Sequence, residues 1–105
     1  MQSELKNKEQ IFQIIQLNNQ KIKSFGVKRI GVFGSYVKDQ QSLDSDLDFL
    51  VEFDKEKKSY NSFIKLAYFL EELFNRKVDL LTEKSLSPYL GPHILKEIEY
   101  VPLSN

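Results

Sequence analysis

Apolar positions recur at helical spacing over the first quarter of the chain. Ile11, Ile15 and Ile22, with Leu5, Phe12 and Ile14 nearby, predict a helix over residues 4–24. Ser3 is placed to cap its start, and Gly26 to end it in a left-handed conformation. The period then shortens. Arg29-Ile30-Gly31-Val32-Phe33 reads as a strand that stops at Gly34-Ser35, with Ser35 placed to cap a brief helical turn through Lys38 and a polar loop from Asp39 to Ser45 beyond it. A second strand runs from Asp46 to Phe53. Its alternation sends Leu47, Phe49, Val51 and Phe53 to one face and Asp46 and Asp48 to the other. After a charged turn from Asp54 to Lys58, residues 59–75 predict a helix that buries Phe63, Leu66, Ala67, Leu70, Leu73 and Phe74. A third strand follows over Lys77-Val78-Asp79-Leu80-Leu81-Thr82. Ser87-Pro88 and Gly91-Pro92 then punctuate the start of a last helix carrying Ile94, Leu95 and Ile98. The order α-β-β-α-β-α predicts an α/β (α+β) fold, a small mixed sheet with helices packed against it.

Composition narrows the function classes. At 105 residues the chain is long enough for one domain, residues 1–105, and for one modest core. The absence of cysteine excludes disulfides, zinc–thiolate sites and thiol nucleophiles. Fifteen basic residues balance fifteen acidic ones, which gives no general pull toward nucleic acid or an anionic membrane and little repulsion against association with a partner. No apolar run approaches the ~20 residues of a membrane span, and the first six residues carry no apolar leader, so a cytoplasmic protein is expected.

The chemistry concentrates in Gly31-Val32-Phe33-Gly34-Ser35 and, ten residues later, Asp46-Leu47-Asp48. Two carboxylates two residues apart on a strand project from one face, about 7 Å apart along the chain. Strands seldom place two such charges together without a cation, and hard oxygen ligands suit Mg²⁺ or Mn²⁺. Asp79, flanked by Val78 and Leu80, also faces away from the core side. Three aspartates converging at strand ends can hold two metals about 3.5–4 Å apart. Gly34 allows a phosphate to approach the backbone closely, and Ser35 with the N–H groups of the turn can donate to it. Lys38, one turn later, can neutralise a phosphate oxygen. A phosphate cradle beside a metal clamp supplies what phosphoryl transfer needs, since its catalysis is mostly positioning and charge neutralisation. His93, the single histidine, reads as a surface or capping residue at a helix start. The run Lys55-Glu56-Lys57-Lys58 reads as a solvated turn.

These residues match a family pattern. The chain resembles the minimal nucleotidyltransferases of the polymerase-beta-like superfamily, whose signature is Gly-Ser, ten residues, then Asp-x-Asp. Here that signature is Gly34-Ser35, residues 36–45 and Asp46-Leu47-Asp48, supported by Phe33-Gly34-Ser35-Tyr36, by Asp44–Phe53 and by Val78-Asp79-Leu80-Leu81-Thr82. The resemblance covers about Val27 to Val101. Its four fixed positions would coincide by chance in roughly one chain per thousand of this length. It implies that Gly34 and Ser35, with Lys38 and Ser45, bind the nucleotide. It further implies that Asp46, Asp48 and Asp79 ligate Mg²⁺ (two ions, with Mn²⁺ an alternative), and that Asp79 orients or deprotonates the attacking hydroxyl. Lys38-Asp39 stands where the family often has Arg-Gly. Lysine lacks the bidentate fork and Asp39 adds a negative charge, so weaker triphosphate affinity is expected.

Larger relatives carry an extra helical domain for the acceptor, and this chain reaches Asn105 about where the catalytic core ends, so a partner is expected to complete the site. Many members of the family act as antitoxins that transfer AMP from ATP to a tyrosine of a helical HEPN-type toxin, and that is the leading expectation. Two alternatives stay open: a binding module that neutralises its partner by contact, and the catalytic subunit of a small-molecule or RNA nucleotidyltransferase. The missing basic stripe counts against RNA. Oligomeric state is left open.

Overall fold

A computed structural model of the chain describes residues 7–37, 46–54 and 60–103. Its elements are α1 (Lys8–Leu17), α2 (Asn19–Ser24), β1 (Val27–Phe33), a 3₁₀ turn (Gly34–Tyr36), β2 (Leu47–Phe53), α3 (Tyr60–Phe74), β3 (Val78–Thr82), a second 3₁₀ turn (Glu83–Ser85), α4 (Gly91–Glu97) and β4 (Glu99–Val101). The four strands form one mixed sheet in the order β3-β2-β1-β4. β1 is antiparallel to β2 and β4, whereas β2 and β3 run parallel. Parallel neighbours need a long crossover, and α3 supplies it.

One face of the sheet carries the core. Leu47, Phe49, Val51 and Phe53 of β2 join Ile30, Val32, Val78, Leu80 and Val101 beneath Ile11 and Ile15 of α1, Ile22 of α2, and Leu66, Leu70 and Phe74 of α3. The Phe49 and Phe74 rings sit 5.7 Å apart, within the range of favourable aromatic pairing. The expected stripe on α3 is therefore present, with Phe63, Ala67 and Leu73 packed partly buried at its edges.

The predicted first helix is broken at Asn18. The Asn18 side-chain amide donates to the Ile14 carbonyl at 2.8 Å, and the backbone there leaves helical values (φ −112°, ψ 19°). This is the local competition with backbone bonding that makes asparagine a poor helix interior residue. Asn7 caps α1, its Oδ1 accepting the Gln10 N–H at 3.1 Å; Ser3 and Leu5 lie outside the described residues. Gly26 takes the left-handed conformation expected of it, with φ +93°. The loop from Lys38 to Ser45 and the turn residues Lys55 to Lys58 also lie outside the described residues.

The end of the chain departs from the expected order. The last helix stops at Glu97; Ile98 is extended (φ −62°, ψ 141°), and Glu99–Val101 pairs with β1 as a fourth strand. Ile94, Leu95 and Ile98 have helical spacing, but three residues followed by Pro102 are too short for a strand period to register. The partner edge of β1, which needs its N–H and C=O groups satisfied, decides the outcome.

Candidate active site

The second face of the sheet carries the chemistry at one end. Phe33, the last residue of β1, lies opposite Asp48 of β2, and Asp48 lies beside Asp79 of β3 in the parallel pair. Register alone thus brings the Gly34-Ser35 turn and two of the three expected aspartates to adjacent strand positions. Asp46 stands two residues before Asp48, half-buried, on the approach to β2, where the Leu47 N–H donates to the Lys77 carbonyl at 3.1 Å. Asp79 is exposed while its neighbours Val78 and Leu80 are buried, as their alternation predicts.

Gly34 has φ +83°, in the left-handed region that glycine enters without penalty. A Cβ at this position would lie 2.2 Å from the Asp48 Oδ2. Glycine is required here twice, for the turn and for the carboxylate that packs against it. Ser35 sits second in the 3₁₀ turn and does not cap it; Phe33 occupies the capping position, and the Val37 N–H donates to the Gly34 carbonyl at 3.1 Å. Arg76 anchors the turn from the far side by donating to the hydroxyl of the buried Tyr36. Lys38 and Ser45, the remaining expected nucleotide-binding residues, lie outside the described residues. His93 is exposed in α4.

Asp48 is half-buried and its carboxyl is pushed from 3.8 up to about 6. Burial is the main cause. The charges of Asp79 and Asp46 add to it, followed by a hydrogen bond with the Asp79 carboxyl and the charge of Glu97. The charges of Asp46, Asp79 and Glu97 thus all bear on Asp48, and carboxylate oxygens of this kind are the donors that a divalent cation such as Mg²⁺ prefers. Among the described residues no three such groups are drawn together closely enough to hold an ion as they stand.

Glu97 is a member of the site that the sequence motifs do not mark. Its Oε1 accepts the Gly34 N–H at 3.3 Å, across 63 residues of chain. One signal for it exists in the sequence: an acidic residue in the last turn of a helix opposes the helix dipole.

Residues 10–101 match the family model described as a nucleotidyltransferase domain. The chain belongs to this family. The nucleotidyltransferase relatives include the protein adenylyltransferase MntA of Thermococcus cleftensis, 40% identical over 89% of this chain and 94% of that protein. Among solved structures, one described as a minimal nucleotidyltransferase superposes with a TM-score of 0.67 at 29% identity, covering 84% of this chain and 93% of the other. An MNT antitoxin in complex with a tri-AMPylated HEPN toxin from Shewanella oneidensis matches at a TM-score of 0.55 and 23% identity, over 85% of this chain and 72% of the other. That last likeness speaks for the fold alone. The mixed sheet and packed helices are those of minimal nucleotidyltransferases.

Proposed function

We propose that residues 1–105 act as one metal-dependent nucleotidyltransferase domain in the cytoplasm, moving AMP from ATP to a tyrosine of a helical HEPN-type toxin and so serving as its antitoxin. The observation that carries the reading is the meeting of the Gly34 turn with Asp48 and Asp79 at neighbouring strand positions. The 40% identity to a protein adenylyltransferase supports the reaction. The partner follows from the family resemblance of the sequence, and the fold shared with an MNT antitoxin bound to an AMPylated toxin is compatible with it.

On this reading the Gly34 N–H and Ser35 receive the β- and γ-phosphates, with Lys38 and Ser45 completing the contacts. Asp46, Asp48 and Asp79 would hold Mg²⁺, two ions in the full site, with Mn²⁺ as a substitute. A metal held there would supply charge neutralisation for the phosphates and for the leaving oxygen. The tyrosine oxygen attacks the α-phosphorus, the bond to the β-phosphate oxygen breaks, and pyrophosphate leaves. Asp79 is the carboxylate best exposed to take the phenolic proton, and Asp48, held between Asp79 and Gly34, fixes its orientation.

The test is transfer of label from α-³²P-ATP in Mg²⁺ to a co-purified helical partner, beside an Asp46→Ala/Asp48→Ala variant. Label on the partner, lost in the variant and released from tyrosine by phosphodiesterase, is the expected result. A partner that co-purifies and is neutralised with no label from either protein overturns the transferase reading in favour of neutralisation by contact.

A further inference from the structure

The position of Glu97 follows from a glycine on a different element. Ile98 packs so closely over β1 that a Cβ on Gly31 would lie 2.7 Å from its side chain. Gly31 therefore lets the chain leaving α4 press onto the chemical face of the sheet, and the preceding Glu97 is held over the end of β1. There its carboxylate accepts a hydrogen bond from the Gly34 N–H, and its charge adds to those bearing on Asp48. On the nucleotide reading above, that amide is the donor a triphosphate oxygen requires. A carboxylate and a phosphate are both anionic acceptors, so one N–H cannot serve the two at full strength, and their like charges repel.

The geometry points to Glu97 as an internal competitor for the triphosphate, holding the Gly34 amide until a phosphate oxygen displaces it. Glu97 closes the α4 helix, at the end of the helix dipole where a negative charge is unfavourable. Affinity for the triphosphate is then set partly by how readily this carboxylate swings away. The effect is specific to ligands with β- and γ-phosphates and absent for a nucleoside monophosphate. This inference rests on the proposed nucleotide site.

The test is calorimetric titration of the full chain with ATP and, separately, AMP in Mg²⁺, using wild type, Glu97→Gln and Glu97→Ala, each checked for an intact fold by circular dichroism. Glu97→Ala should lower the Kd for ATP about tenfold, the scale of one charge-assisted hydrogen bond that no longer has to break. Glu97→Gln should gain less, because its amide oxygen still accepts the Gly34 N–H, and AMP should bind all three alike. Equal ATP affinity in wild type and Glu97→Ala, or an equal gain for AMP, overturns the inference. Weaker ATP binding by a folded Glu97→Ala also overturns it and groups Glu97 with the metal-binding carboxylates. In these cases ATP binding that depends on Asp46 and Asp48 leaves the nucleotide site standing. If neither wild type nor Glu97→Ala binds ATP, both readings fall.

Discussion

The two faces of β2 are built to opposite ends. On one, Leu47, Phe49, Val51 and Phe53 are all buried against helices, and every side chain adds to folding. On the other, Asp48 is set half-buried among carboxylates that raise its pKa to about 6, a cost to the folded state that no cation of the described residues offsets. Among the described residues no charged or polar residue is fully buried, and this half-buried charge cluster departs from what stability alone would select. Seven residues of one strand thus carry both a buried apolar face that favours folding and a carboxylate cluster that opposes it.

Breaking the first face should have the largest effect. Phe49 is fully buried and packs on Phe74, so Phe49→Ala should cost about 3–5 kcal/mol in urea unfolding. A domain of this size holds only about 5–15 kcal/mol in total, so the variant should be partly unfolded at 37 °C. A loss below 1 kcal/mol would mean that the helices do not close over β2 as described.

Gly34→Ala comes next, because it strikes the turn where the chemical face begins. Forcing a non-glycine residue to φ +83° costs roughly 1–3 kcal/mol, and the added methyl must also push the Asp48 carboxylate aside. Loss of ATP binding with only this modest loss of stability is expected from paired calorimetry and unfolding. Unchanged ATP affinity would sink the role given to the turn.

How legible these faces are in the sequence depends on how local each signal is. The alternation in β2 needs only eight consecutive residues, and by itself it assigns Asp48 and Phe49 to opposite faces. Asp79 is legible for the same reason, as a polar residue between two buried ones. The pairing of Asp48 with Asp79 follows from strand register, which no local pattern encodes. β4 and the reach of Glu97 to Gly34 depend on contacts across about seventy residues, and the Asn18 break depends on a side chain choosing a carbonyl over solvent. Each is hidden from a local pattern because its cause is tertiary or rests on a single side-chain choice.

Asp48→Asn should sharpen the contrast from the other direction by stabilising the protein while ending transfer. The folded state binds the Asp48 proton more tightly than the unfolded state does. The residue's contribution is therefore most favourable below pH 3.8, declines as pH rises, and is fully lost above about pH 6. Solvent screening of a half-exposed group reduces the gain from the neutral variant to about 1 kcal/mol, or roughly 4–8 °C in melting temperature at pH 7.5. The gain should vanish at pH 4. Saturating Mg²⁺ should raise the wild-type melting temperature at pH 7.5 and leave the variant nearly unmoved. A variant less stable than wild type at pH 7.5 without metal would refute the account of Asp48.

The smallest effect makes the most direct comparison, because Glu52 is a second carboxylate on the same face of the same strand. Its partner is a cation: Arg29 Nε lies 3.1 Å from Glu52 Oε1, and the guanidinium also rests over the Tyr100 ring at 4.0 Å. Both side chains of the pair are 40–49% exposed, so Glu52→Gln should cost only about 0.2–1 kcal/mol, and less in high salt. The sign is the informative part. Neutralising Glu52 should destabilise slightly, whereas neutralising Asp48 four residues earlier should stabilise, with unfolding in urea at pH 7.5 as the common measurement. If both substitutions move stability the same way, the difference between the two carboxylates does not lie in their partners. If the signs oppose, the chemical end of β2 is the part of the strand where charge is kept against the interest of the fold.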